Sequence, residues 1–339
     1  MRSLLTLLCM VGACCALAQD TIGVIDVYGN RTLSADAVRK ASQLKEGFPV
    51  DRNTLSKATL INHMKAIPGV KGASIEIVCC DDKTGKTIAY VGIAESTDHL
   101  PVYRKDPDKQ SKLPDEIVHN YQLYLGRMEE AVRQGKSQQD QVEGYALLQD
   151  SATRVQQLKF IDYARQQEGI LREVIHYSGN AEHRAIATMI IAYGANKEKL
   201  VPELLYATQD SDETVRNNAT RALWVLSDYL HEHPEIKTTI PAAPFIRMLN
   251  SLSWTDRNKG SLVLLSLTQQ RDTALLTTLR KECLPALTEM ARWHNQGHAF
   301  ATYLILGRMA GLPDQEVFQA FSSENRHNYL QTILEKINQ

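Results

Sequence analysis

The sequence predicts an α+β domain of modest size followed by an all-α array of helical repeats. Two observations carry this. Between Ile22 and Ile93, three runs of alternating β-favouring residues bracket two stretches with helical spacing. From about residue 116 onward, a helix pattern recurs with a period near 41 residues. Composition agrees: aromatic residues are 6% of 339 and hydrophobic residues 43%, lean in β-type residues and suited to helix. With 38 Lys+Arg against 39 Asp+Glu, the net charge of −1 lacks the basic surplus on which nucleic-acid and polybasic membrane-surface binding depend.

Residues 1–18 stand outside the fold. Met1-Arg2-Ser3 supplies a positive start, Leu4 to Leu17 is apolar, and Ala16-Leu17-Ala18 before Gln19 is an A-x-A cleavage site. This predicts a secretory signal peptide of bacterial type and a periplasmic mature chain. The run is shorter than the roughly 20 apolar residues a spanning helix needs, and no other segment approaches that length. Val11-Gly12-Ala13-Cys14 also resembles a lipobox, so the alternative is a lipid anchor at Cys14. Cleavage leaves Cys79, Cys80 and Cys283, an odd number, so at least one thiol is unpaired or intermolecular in an oxidising compartment. On a strand, Cys79 shares the face of Ile75 and Ile77 while Cys80 points the other way. A Cys80–Cys283 bridge is one option, and no cysteine has zinc-site spacing.

Residues 19–96 make the first domain. Ile22 to Tyr28 alternates and stops at the turn Gly29-Asn30. Ser34 is a good N-cap for a helix through Lys40, with Asp36 near its positive end and Arg39-Lys40 further along. Gly47-Phe48-Pro49 breaks it. Asp51 then caps a second helix, which ends before Pro68-Gly69. Two strands follow, Ala73 to Cys80 and Thr87 to Ile93, joined by Asp81-Asp82-Lys83-Thr84-Gly85-Lys86 as a hairpin. The order is β-α-α-β-β. Two helices cover one face, which leaves the other face and one edge available.

Val27-Tyr28-Gly29-Asn30 with Leu33-Ser34, Leu44-Lys45-Glu46-Gly47, Ile67-Pro68-Gly69-Val70 and Val91-Gly92-Ile93-Ala94-Glu95 resemble a polypeptide-transport-associated (POTRA) domain. The resemblance covers about 74 residues and implies a periplasmic domain that contacts polypeptides partly by pairing at a strand edge. Three features depart from the family: there is one copy, Val70 stands where an aromatic residue is usual, and no β-barrel follows. Polypeptide transport is therefore not implied. Residues 97–115 read as a linker, interrupted by Pro101, Pro107 and Pro114 and solvated by Arg104, Lys105, Asp106, Asp108, Lys109 and Lys112.

Residues 116–339 carry the repeats. Arg184, Arg216, Arg257 and His298 anchor a register with separations of 32, 41 and 41. Three residues after each anchor comes a small one (Ala187, Ala219, Gly260, Ala301), then Thr188, Thr220, Ser261 and Thr302. Apolar pairs follow at plus six and seven, completing the face of a closely packed helix. Pro202, Pro244 and Pro285 precede their anchors by 14, 13 and 13 residues and predict first-turn positions of a preceding helix. Residues 116–180 are helical by pattern but keep the register poorly, and Pro313 to Phe321 with His327 to Ile337 predict a C-terminal cap.

Asp210-Ser211-Asp212-Glu213-Thr214-Val215-Arg216 resembles a HEAT repeat. The resemblance implies a right-handed α-solenoid in which Asp210 caps the second helix and Arg216 pairs with an acidic residue of the next repeat. Only this repeat carries the pattern. Six residues before Arg257 and His298 stand Ser251 and Arg292, so a continuous Asp/Arg ladder is not expected.

The chain has no G-x-S-x-G, H-E-x-x-H, phosphate-binding glycine loop or C-x-x-C. No cofactor or metal is implied. His294 and His298 flank Asn295-Gln296-Gly297, which reads as a turn, and His231 and His233 read as solvated residues before Pro234. Trp224, Trp254 and Trp293 read as packing residues. The densest polar-aromatic cluster, Trp254, Asp256, Arg257 and Lys259, is the candidate partner-binding surface, with helix capping by Thr255 or Asp256 as its plainer reading. The resulting expectation is a non-enzymatic scaffold of the cell envelope that binds a protein or peptide through the repeats, with the strand edge as a second contact. The alternative is an enzyme or small-ligand binder using the helical groove.

Overall fold

A computed structural model describes residues 21–50, 57–78, 81, 85–136 and 138–339. The expected signal peptide, Cys14, the expected Asp51 cap, Cys79, Cys80 and residues 82–84 of the expected hairpin loop lie outside these. The fold is mixed α+β. A small N-terminal sheet unit comes first, with β1 (Ile22–Tyr28), α1 (Ala35–Ser42), α2 (Lys57–Lys65), β2 (Val70–Val78) and β3 (Thr87–Glu95). The strand order is β1-β3-β2, with β1 parallel and β2 antiparallel to the central β3. Ser34 caps α1 by accepting the Ala37 N–H. Period-two alternation divides the sheet's side chains between two faces. Ile25, Ile75, Val91 and Ile93 meet Val38 of α1 and Met64 of α2 in one core.

The opposite face, which the residue pattern leaves available, is instead covered by the helices. Tyr28, Ile88 and Tyr90 are fully buried in the core of the helical part. Gly92 makes this possible: its missing side chain is where the Tyr28 ring lies, since a Cβ there would come within 2.4 Å of that ring.

The helical part comprises α3 (Asp115–Arg133), α4 (Ser151–Gln166), α5 (Glu168–Tyr177), α6 (Ala181–Ile191), α7 (Lys197–Ala207), α8 (Glu213–Glu232) and α9 (Ala243–Met248). It continues through α10 (Trp254–Leu267), α11 (Thr273–Ala291), α12 (Gln296–Met309), α13 (Asp314–Phe321) and α14 (Arg326–Asn338). Helices α6, α8, α10 and α12 contact one another in succession, and α5, α7, α9 and α11 each contact the helix that follows. The four register helices therefore form one row. Their Ser/Thr positions bond back into the preceding turn: Thr188 and Thr220 to the carbonyls of Arg184 and Arg216, Ser261 and Thr302 to those of Asn258 and Ala299.

Several expectations change here. Residues 116–180 are not all helical, because β4 (Gln139–Val142) and β5 (Tyr145–Leu148) form a hairpin. Its two-residue turn, Glu143-Gly144, has positive φ at both positions, as a tight hairpin matching the strand twist requires. Pro244 does lie in the first turn of α9, but Pro202 and Pro285 sit inside α7 and α11. Both are exposed, so the carbonyl each leaves without its helical donor can be hydrated. His231 belongs to α8 and reaches the Ser266 carbonyl. Cys283 is buried, with its thiol 3.8 Å from the Ile246 carbonyl.

Candidate interaction site

Tyr28 and Tyr90 stand on one face of the sheet because they share strand parity with Val24, Asp26 and Ile88. They meet Trp254 at the start of α10 and Trp293 and His298 around the start of α12. Tyr90 stacks on Trp254 at 4.9 Å and 22° and lies 5.0 Å from Trp293, while Tyr28 meets Trp293 edge-on at 6.2 Å. Such pairs contribute about 0.5–1.5 kcal/mol each beyond burial. The polar rim is matched as closely. The hydroxyls of Tyr28 and Ser74 both donate to the Leu252 carbonyl at 2.6 Å. The Gly29 N–H donates to Glu289 at 2.8 Å, and Asp26 accepts the backbone N–H and Nδ1 of His294 at 3.0 and 2.7 Å.

The two histidines respond oppositely to this setting. The hydrogen bond to Asp26 raises His294 above its usual range, against partial burial. Burial, then the nearby Lys259 charge, pushes His298 down to about 4, and the neutral ring bonds the Tyr90 hydroxyl at 2.7 Å. Both side chains are engaged within the interface. Among the described residues, no group of three or more His, Cys, Asp and Glu side chains is placed to hold one.

Behind the interface runs a line of buried ion pairs. Arg184 of α6 grips Asp210 through Nε and Nη2 at 2.9 Å each, and Arg216 of α8 grips Asp256 of α10 at 2.9 and 3.0 Å. Arg257 of α10 reaches Glu289 of α11 at 2.9 Å. Each arginine also donates to the carbonyl six residues upstream, namely Ser178, Asp210 and Ser251. Arg184, Arg216 and Arg257 thus each carry a rung, two to aspartate and one to glutamate, while His298 carries none, so a continuous Asp/Arg ladder does not run through all four anchors. The acidic partner is not fixed at six before the anchor: Asp210 lies there, Asp256 directly precedes Arg257, and Glu289 comes from the preceding helix. Asp210 does not cap α8 either; Asp212 does, accepting the Thr214 and Val215 N–H groups.

The segment expected to be a solvated linker lies along this ladder. Tyr103 donates to Asp256 at 2.7 Å with its ring 3.8 Å from the Arg216 guanidinium, and Arg104 sits 3.3 Å over Tyr206. Asp106 binds Arg184 at 2.7 Å, while Lys105 is exposed. The segment is an extended strap in which Arg104, Asp106 and Lys109 have partners.

The candidate surface Trp254, Asp256, Arg257 and Lys259 is therefore not free. Trp254 is 7% exposed under Tyr90, Asp256 1% and Arg257 2% in the ladder. Lys259 is half-buried, and desolvation with the nearby Arg221 lowers its ammonium to about 8. Thr255 and Asp256 lie within α10, whose N-cap is Ser253. The missed residues are Asp26, Tyr28, Tyr90 and Glu289. Two tyrosines on the face opposite an apolar strand face were the available signal, because large rings are rarely left on an open sheet.

Sheet unit and helical row also frame a cleft of about 550 Å³, bounded by β1, α1 and the C-terminal half of α11. No protein-family model matches this chain, and no curated protein is significantly similar to it. Its class rests on the molecule itself: an α+β protein in which a three-stranded sheet unit is docked on a row of helices.

Proposed function

We propose that this chain is an exported, non-enzymatic scaffold of the cell envelope that binds a polypeptide partner. In this reading the sheet unit is POTRA-like and the helix pairs from α5 to α12 are HEAT-like repeats of a right-handed solenoid. One observation carries the proposal: along the row α6, α8, α10, α12, successive helices pack together, and the repeats are tied by Arg184–Asp210, Arg216–Asp256 and Arg257–Glu289, the last reaching α11. A row locked this way offers a long, rigid surface of the kind helical-repeat proteins use for extended partners. The β-α-α-β-β order and two sheet edges, β1 and β2, support the second contact. The test is chemical crosslinking in intact cells before lysis, followed by peptide mapping. The expected result is a mature N-terminus at Gln19 and a polypeptide joined to the helical row or sheet edge. Turnover of a small substrate by the purified chain, with no polypeptide crosslinked, would overturn the proposal.

A further inference from the structure

Of the charged residues Asp256, Arg257 and Lys259 of α10, only Lys259 lacks an ion pair among the described residues. It stands two residues after its anchor, the register position that Asn218 holds in α8. Asn218 and Arg221, one turn apart, line a notch on the side of α8 that meets the β4–β5 hairpin and α3. Helices α8 and α10 pack together, so Lys259 continues that side of the row into the next repeat, where Arg221 is the charge that acts on it.

The notch is apolar within and cationic at its edge. Tyr145 of β5, Met189 of α6, Tyr193 just beyond it, and Ala222 and Val225 of α8 form its walls, with room for about one side chain. Arg221 donates to the Gln139 amide oxygen at 2.8 Å and faces the Tyr124 hydroxyl, both neutral. The carboxylates of the hairpin are committed elsewhere, Asp140 to Arg154 at 2.6 Å and Glu143 to Tyr145 and Lys197. Two half-buried cations on consecutive helices, with no carboxylate partner among the described residues, repel each other, and desolvation beside Arg221 lowers the Lys259 ammonium to about 8. A negative ligand offsets that repulsion, and the apolar walls favour an anion that carries a hydrophobic group. In the C-terminal residue of a polypeptide, carboxylate and side chain leave the same carbon, which suits a cation set at the edge of a one-residue notch.

We propose that this side of the helical row binds the C-terminal residue of a polypeptide, its carboxylate on Arg221 and Lys259 and its apolar side chain in the notch. The inference rests on the scaffold reading and narrows it to one site and one chemistry.

The test uses the full chain and fluorescence anisotropy at low salt, with three hexapeptides labelled at the N-terminus: Gly-Ser-Gly-Ser-Ala-Leu with a free carboxylate, the same peptide as its C-terminal amide, and a free acid ending in Ser. The Leu acid should bind about tenfold more tightly than either of the others, a comparison that needs no variant. Arg221→Gln and Lys259→Gln should each weaken it about tenfold, and Ala222→Phe, which fills the notch, should erase the preference for Leu over Ser. Thermal unfolding of each variant at the parent's temperature separates lost binding from lost folding. Equal binding of the amide, or binding indifferent to both charge variants, overturns the carboxylate anchor, and equal binding of the Ser acid overturns the apolar notch. If 4-methylpentanoate, which has no peptide bond, displaces the Leu acid at the peptide's own Kd, the polypeptide assignment falls in favour of a small organic acid. If no peptide binds, the inference fails alone, and the scaffold reading stands or falls on crosslinking in cells.

Discussion

Tyr90 of β3 and Trp254 of α10 stack with ring centroids 4.9 Å apart, and through this contact the central strand of the sheet belongs to the core of the helices. Trp293 and His298 close around the same ring, at 5.0 and 5.7 Å. Truncating Tyr90 to Ala should cost about 3–5 kcal/mol, as for other buried aromatic residues. A double-mutant cycle with Trp254→Ala should return a coupling of about 0.5–1.5 kcal/mol, read by urea unfolding. A coupling near zero would mean the stack contributes only burial.

The ladder predicts a non-additive pair. Asp256 accepts from Arg216, Ser251 and Tyr103, all at hydrogen-bond distance. Asp256→Ala leaves the Arg216 charge buried and alone, at a cost of about 3–5 kcal/mol. Replacing both Arg216 and Asp256 by leucine should cost less than either single change. Chemical denaturation of the three variants decides this, and additive losses would contradict it.

The histidines predict opposite pH responses. His294 is raised above its ordinary 6.5 by Asp26, so its contribution is complete below that value and fades as pH rises through the raised one. His298 is lowered from 6.5 to about 4, so its contribution is complete above pH 6.5 and is lost as pH falls toward 4. That loss amounts to on the order of 3 kcal/mol. His298→Gln should flatten the acid limb of the stability profile and His294→Gln the limb above pH 6.5, followed by thermal unfolding at each pH.

Gly92 predicts a steric response. An added methyl would lie 2.4 Å from the Tyr28 ring, with backbone beneath and Trp293 beyond to limit its escape. Gly92→Ala should destabilise by about 1–3 kcal/mol and shift tryptophan emission toward the red as the interface loosens. Emission and stability equal to the parent would show that Tyr28 relocates freely.

Much of this was legible in residue patterns. Ser34, the strand alternation and the anchors Arg184, Arg216, Arg257 and His298 all reflect local rules, capping and periodicity, that act within a turn or two. What escaped is non-local. The acidic partner of each anchor arrives from a different sequence offset, so inspection of one repeat position could not find Asp256 or Glu289. Tyr103, Arg104 and Asp106 look like solvated linker residues until the ladder they bind is in place. The Trp254 cluster looked like a surface because nothing in its own helix reveals that Tyr90, 164 residues earlier, covers it.

The central claim is that sheet unit and helical row form one body, since the interface, the strap and the cleft all depend on it. Urea unfolding measures this directly, monitored at once by tryptophan emission from Trp254 and Trp293 and by hydrogen exchange of β3 and α8 amides. The account predicts a single coincident transition in all three signals. Loss of β3 protection at lower urea, with α8 still protected, would contradict it.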